Sequence, residues 1–280
     1  MNFSCAISVI IPAHDEADHI DDCLRSLWAS DPVDGGAEVV VVANGCSDNT
    51  VARARAHTSA ATRVGWNLQV LDLPVGNKAA ALTAGDVVAT GQTRVYVDAD
   101  VTVSSALIAQ LQRSLDGPAP GYASGQAVIA PPRTHVTRHY IRFWKRLPFV
   151  AKGVPGFGVY AVNAAGRKRW QDFPDIISDD TFVRLSFAPE ERRIVPATFV
   201  WPAIEGFAPL VRVRRRQDAG VTEIAQRFPE HMTRDDKRRP GLGELVRFGL
   251  SDPVGFAVYS TVMLSAKFTR RLNKGWARGR

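Results

Sequence analysis

Four short apolar runs alternating with amphipathic stretches constrain this chain more than any other feature. Ala6 to Ile11, Glu38 to Ala43, Leu68 to Leu73 and Arg94 to Val97 have strand length and are rich in branched aliphatic residues. Between the first two, Ile20, Cys23, Leu24, Leu27 and Trp28 recur at helical spacing. Lys78 to Ala89 reads as another helix, and Ser47 or Asp48 is placed to cap the helix after the second strand. Pro12 predicts that the first strand stops before it. Apolar strands alternating with such helices imply a mostly parallel sheet covered on both faces. Ligands of such sheets bind beyond the carboxyl ends of the strands, so function is sought there.

The alternation loosens after about residue 115. Tyr122 to Ala130 reads as a strand and Arg138 to Val150 as one amphipathic helix. A glycine-rich loop, Gly153 to Gly158, precedes a short strand, and Thr181 to Phe187 continues as a helix from an acidic start. Short apolar runs follow around Ile194 and Phe199, and from Gly206 the chain is helical and basic. The expected division is a first domain over residues 1–205, with halves 1–115 and 116–205, and a helical basic extension over 206–280.

Composition narrows the function classes. With 280 residues, 45% hydrophobic and 22% charged, the chain is neither collagenous, disordered nor multiply membrane-spanning. Its three cysteines, Cys5, Cys23 and Cys46, form no C-x-x-C pair, so neither a disulfide framework nor a thiolate zinc site is expected. That usage, and an opening that runs straight into an apolar strand, fit a cytoplasmic protein without a cleaved leader. The net charge of +7 is concentrated at the end: Lys267 to Arg280 holds six lysines or arginines and no acid. Just before it, Pro253 to Ala266 carries no charge over fourteen residues, too few for the roughly 20 a spanning helix needs. An apolar stretch joined to a cationic end, with Trp276 among the charges, is what a helix lying on an anionic membrane requires. The alternative is a stretch packed on the rest of the chain with a solvated tail.

Three strands end in polar residues at one sheet edge: His14-Asp15-Glu16, Asn44 to Thr50, and Asp98-Ala99-Asp100. Two acids one residue apart are common in turns, but at a strand end both can face one divalent cation. Gly76-Asn77-Lys78 opens a helix, where an ammonium and free N–H groups suit an anion. Farther along, Asp179-Asp180 begins a helix, where acids also serve as caps. His135 and His139 have metal-binding spacing without a third ligand, and read as an exposed pair. Trp144, Trp170 and Trp201 can stack on sugars but read first as core.

The order of these motifs resembles the inverting family 2 glycosyltransferases, which have the GT-A fold. The resemblance is carried by Val9 to Glu16, Asn44 to Thr50, Gly76 to Leu82 and the Asp98-x-Asp100 pair, and covers roughly residues 6 to 200. It implies a nucleotide-sugar site in which Pro12, Ala13 and Glu16 cradle base and ribose, Asn44 reaches the base and Lys78 lies near the nucleotide. Asp98 and Asp100 handle ribose and a divalent metal, Mn²⁺ or Mg²⁺. Gly156-Phe157-Gly158 matches the acceptor loop, and Asp180 the general base, with Asp179 in place of the more usual glutamate. The family often has aspartate where Asn44 stands, which leaves the base open. Processive members carry Q-x-x-R-W, whereas Gln217 is followed here by Asp218-Ala219-Gly220, so transfer of a single sugar is implied.

The expected activity is metal-dependent, inverting transfer from a nucleotide-diphosphate donor to a lipid-linked or surface-glycan acceptor, in polysaccharide biosynthesis. Its expected place is the cytoplasm, peripheral on the inner face of the cell membrane. A sugar-phosphate nucleotidyltransferase shares the architecture, but its glycine- and arginine-rich loop is missing after the first strand. Nucleic-acid binding by the basic end is not expected, because it leaves the acidic cluster unexplained.

Overall fold

The computed structural model describes residues 5–238 and 240–272, and the side chains of 152 and 269–272 are outside the description. Lys274, Trp276, Arg278 and Arg280 also lie outside it, as do the side chains of Arg270 and Arg271.

The chain opens with β1 (Ile7–Ala13), α1 (Ile20–Trp28), β2 (Ala37–Asn44), α2 (Thr50–Ala56), α3 (Thr58–Arg63) and β3 (Asn67–Leu73). It continues through α4 (Lys78–Val88), β4 (Thr93–Val97), β5 (Thr102–Val103), α5 (Leu107–Ser114) and β6 (Tyr122–Ile129). Then come α6 (His135–Trp144), α7 (Pro148–Lys152), β7 (Val159–Asn163), α8 (Ala164–Arg167), α9 (Asp179–Leu185) and β8 (Arg192–Trp201). Three long helices follow, α10 (Phe207–Arg227), α11 (Leu242–Ser251) and α12 (Pro253–Leu272).

The strands form one sheet in the order β3-β2-β1-β4-β7-β6-β8-β5. The first four are parallel, with β1 central and buried along its whole length, as its uninterrupted apolar run requires. Beyond β4 the pairing with β7, and of β7 with β6, is antiparallel. That change coincides with the loss of regular alternation after residue 115. Helix α1 presents Ile20, Cys23, Leu24 and Leu27 to the core, the face its spacing predicts.

Two expectations are corrected. β1 does not stop before Pro12 but runs through it to Ala13, paired to β2. Pairing with β4 covers only Ile7 to Ile10, so Pro12 lies past the doubly paired stretch, where a strand tolerates its missing N–H. The single helix expected over 138–150 is two, because Pro148 cannot continue α6 and instead opens α7 from an extended Leu147.

Two compact units emerge. One holds the chain up to Val128 together with Val154–Pro202; the other holds Ile129–Gly153 and the chain from Ala203 onward. Residues 129–153, which the sequence reading put with the first domain, group here with the C-terminal helices. The reason is aromatic packing: Phe143 of α6 lies 5.0 Å from Tyr259 and 5.6 Å from Phe256, both on α12. Arg142 clamps Asp252 with two hydrogen bonds, and Glu205 caps α6 by accepting from the Arg133 and Thr134 N–H groups. His135 and His139 each accept from an arginine three residues on, as a surface pair does.

Candidate active site

The parallel register places Ala13 beside Ala43 and Ile10 beside Tyr96, so the residues after β1, β2 and β4 emerge at one edge. Asn44 fastens that edge. Its Nδ2 donates to the Ala13 and Val42 carbonyls at 2.8 and 3.3 Å, and its Oδ1 accepts from Asn77 N–H at 3.1 Å. The side chain expected to reach a nucleotide base is therefore buried and engaged by backbone. Pro12 and Ala13 are buried as well, so these three shape the cradle from behind. His14 lies against Gly76, and its Nδ1 donates to the Asn44 carbonyl at 2.6 Å, which fixes the tautomer. Gly45 has φ +62°, and a Cβ there would overlap the Gly76 backbone, so the close approach of these two loops requires glycine at position 45.

Asp15 accepts from the Ser47 and Asp48 N–H groups, and the Ser47 hydrogen bond above all holds its carboxyl below the usual range. Asp48, not Ser47, bonds the first N–H of α2, that of Thr50, at 2.9 Å. Ligand atoms of Asp15, Cys46 and Asp48 lie within 4.8 Å of one another, but these carboxylates are engaged in tying the two loops. Asn44→Ala would strand two carbonyls and one N–H at the edge. The expected loss is about 2–3 kcal/mol of stability, read as a lowered melting temperature. An unchanged melt would contradict the fastening role.

Lys78 sits in the first turn of α4, whose N-cap Asn77 accepts from Ala80 N–H at 3.0 Å. Its Nζ lies 2.9 Å from Asp98 Oδ1 and 3.2 Å from Asp179 Oδ1, linking the end of β4 to the start of α9. Burial lowers the affinity of this amine for its proton, yet Asp179, Asp98 and Asp180 together reverse that and hold it charged. The Tyr160 hydroxyl donates to the other oxygen of Asp179 at 3.4 Å. Asp100 is pushed up to about 6 by burial first, then by the Asp98 and Glu16 charges. Asp180 is likewise pushed up to about 6, by burial and by Asp179, while Lys78 opposes the shift. Lys78, Asp98, Asp100, Asp179, Asp180 and Glu16 thus form one electrostatic cluster, although they come from four separate segments.

This donor set fits a hard divalent cation. Asp98, Asp100 and Glu16 all offer carboxylate oxygens, and the proton affinity of Asp100 is raised by burial first and then by the Asp98 and Glu16 charges, which Lys78 and His19 only partly offset.

The glycine-rich loop closes the same edge. Asp98 N–H donates to the Gly158 carbonyl at 2.8 Å, which ties the loop to the end of β4. Gly156 has φ +71°, and a Cβ there would overlap the Tyr122 hydroxyl. That hydroxyl is buried and finds no hydrogen-bond partner among the described residues. Phe157 stacks on Trp201 with ring centres 5.2 Å apart and planes 7° apart, so Trp201 is half-buried beside the loop and packed against the core. Trp170 is core, packed on Phe173 and Phe187. Sequence reasoning gave no role to His14, Tyr122 or Tyr160. His14 lay inside a motif it quoted and Tyr160 two residues past another, whereas nothing in the sequence marked Tyr122.

The model of the family described as glycosyl transferase family 2 matches residues 8–172. No curated protein matches the sequence. Among solved structures, a mannosyltransferase from Pyrobaculum calidifontis, in complex with GDP-Man and Mn²⁺, superposes with a TM-score of 0.59. It is 22% identical, over 97% of this chain and 76% of that one. TarS of S. aureus, in complex with UDP, gives 0.54 at 13% identity over 96% and 92% of the two chains. A glucosyl-3-phosphoglycerate synthase from Mycobacterium tuberculosis, in complex with Mn²⁺, UDP and glucosyl-3-phosphoglycerate, also gives 0.54, at 21% identity over 80% of each chain. These likenesses establish a GT-A architecture.

Proposed function

Because the chain belongs to glycosyl transferase family 2, we propose that it transfers a single sugar, with inversion, from a nucleotide-diphosphate donor to a hydroxyl of a lipid-linked or surface-glycan acceptor. The observation that carries the mechanism is the Lys78 bridge between Asp98 and Asp179. It joins a cation-binding edge to an acidic pair suited to proton transfer.

Asp98 and Asp100 would hold a divalent metal, with Glu16 nearby. When bound, such an ion draws off the negative charge that gathers on the departing nucleotide diphosphate. Lys78 holds Asp98 and Asp179 in place and keeps a positive charge at the same edge. Pro12, Ala13 and Asn44 set the backbone wall against which base and ribose rest, and the loop Gly156-Phe157-Gly158 bounds the acceptor side. Asp180 receives the proton of the acceptor hydroxyl as that oxygen bonds to the anomeric carbon and the bond to the diphosphate breaks. Asp179 is fixed by Lys78 and Tyr160 and keeps Asp180 basic by its charge.

A general base works best when its proton affinity is near the working pH, and a carboxyl at about 6 approaches that. Only the ionised form can take the proton. Turnover should therefore fall as pH drops through about 6 and level off above it. A profile flat down to pH 4.5 would remove Asp180 from that role. The reading as a whole is tested by incubating a panel of nucleotide sugars with Mn²⁺ or Mg²⁺ and measuring release of nucleoside diphosphate. Release from at least one donor supports it, and none from any donor contradicts it.

A further inference from the structure

We propose that helices α11 and α12 form a docking surface for an anionic lipid bilayer. α11 presents Leu242, Val246 and Leu250 at four-residue intervals, with exposures of 85%, 61% and 80%. Past Asp252, α12 continues with Val254, Ala257, Thr261, Leu264 and Phe268, all exposed and spaced by three or four residues along one side of the helix. Its other side is packed within the second unit, where Phe256 and Tyr259 meet Phe143 and where Val262 and Ala266 are buried. α12 therefore has one face satisfied by protein and one bearing Leu264 and Phe268 two-thirds exposed. Soluble surfaces seldom group large apolar side chains in this way unless something covers them.

The charges select the occupant. From Pro253 to Arg280 the sequence has no acid, and its six basic residues begin at Lys267, which is exposed beside Phe268. Arg247 is exposed between Val246 and Leu250 on α11. The acid of that helix, Glu244, is held by Arg238 at 2.9 Å and by the Gly241 N–H. An apolar stripe with cations along its margin and no free acid matches an apolar layer covered by negative headgroups. A second copy meeting the stripe with its own α11 and α12 faces would offer the same cations and no compensating acids. No helix of the described residues is long and apolar enough to cross a membrane, so the helices would lie in the interface plane. The proposal stands on the second unit alone and does not depend on the sugar-transfer reading.

The test is sedimentation of the full chain with vesicles of phosphatidylcholine alone, or with about a third phosphatidylglycerol. Leu250→Asp with Leu264→Asp puts acids into the stripe at two exposed positions, and Lys267→Glu reverses a marginal charge without touching an apolar side chain. The expected result is binding to the anionic vesicles, lost at least tenfold in the double variant and several-fold in Lys267→Glu. It should also weaken strongly from about 50 to 500 mM salt. Thermal unfolding tells a folded variant from a collapsed one, and the charge reversal and the salt series read the parent fold independently. Three results would overturn the proposal: equal binding by parent and variants, equal binding to neutral and anionic vesicles, or no binding by a parent dimer that the double substitution dissociates.

Discussion

Asp180→Asn should leave donor affinity within a few-fold and lower turnover by about 10²-fold or more. The amide keeps the size of the carboxyl and its hydrogen bond from Thr181 N–H, but it cannot take a proton. The same substitution carries a second readout. The folded state holds the Asp180 proton up to about 6, above the ordinary carboxyl value of 3.8, so between those values the native protein binds more proton than the unfolded chain. Stability conferred by the group therefore falls as pH rises through that window, and ionised Asp180 destabilises the fold at pH 7. Removing the charge should leave the melting temperature unchanged or raise it, while activity collapses. Lost activity with a lowered melt would indicate a structural role, and retained turnover would move the base to Asp179 or end the inverting assignment.

Asp100→Ala should abolish transfer, by about 10³-fold or more, and excess chelator should do the same to the unaltered protein. Asp100 is held at raised proton affinity by burial, Asp98 and Glu16, so its ionised form is under repulsion until a cation arrives. Removing it relieves the repulsion and deletes an oxygen ligand. Binding of Mn²⁺, followed by calorimetry without any substrate, should weaken at least tenfold in the variant. Metal affinity equal to the parent's, or full transfer in excess chelator, would take Asp98 and Asp100 out of the metal role.

The parallel half of the fold was legible because its signals are local. The strands at Ala6, Glu38 and Arg94 are nearly continuous apolar runs, and that at Leu68 mixes apolar residues with Gln69 and Asp72. The helix at Ile20 shows its buried face in its spacing. Polar residues after such strands must emerge at one edge, which is why Asp98 and Asp100 could be singled out. The antiparallel half was read as elements without an arrangement, because the pairing of β7 with β4 joins residues as distant as Thr93 and Asn163. Pro12 was misread for a related reason: whether a strand tolerates proline depends on how far its neighbours extend, and the sequence of the strand does not state that. Asn44 shows a different limit. A polar side chain at a strand end is equally a ligand contact or a fastener, and only the positions of Ala13 and Asn77 decide for the second. The grouping of α6 with α12 rests on aromatic contacts across more than a hundred residues, which no local pattern announces.

The most direct measurement of the central claim needs no knowledge of the acceptor. Glycosyltransferases supplied with donor alone pass the sugar slowly to water, and nuclear magnetic resonance can identify the anomer that forms first, before it equilibrates. With Mn²⁺ present, and with the nucleotide sugar that releases nucleoside diphosphate fastest, the first sugar to appear should have the configuration opposite to that in the donor. Its formation should stop when the metal is chelated. A first product that keeps the donor's configuration, or one that forms equally well in excess chelator, would contradict metal-dependent inverting transfer.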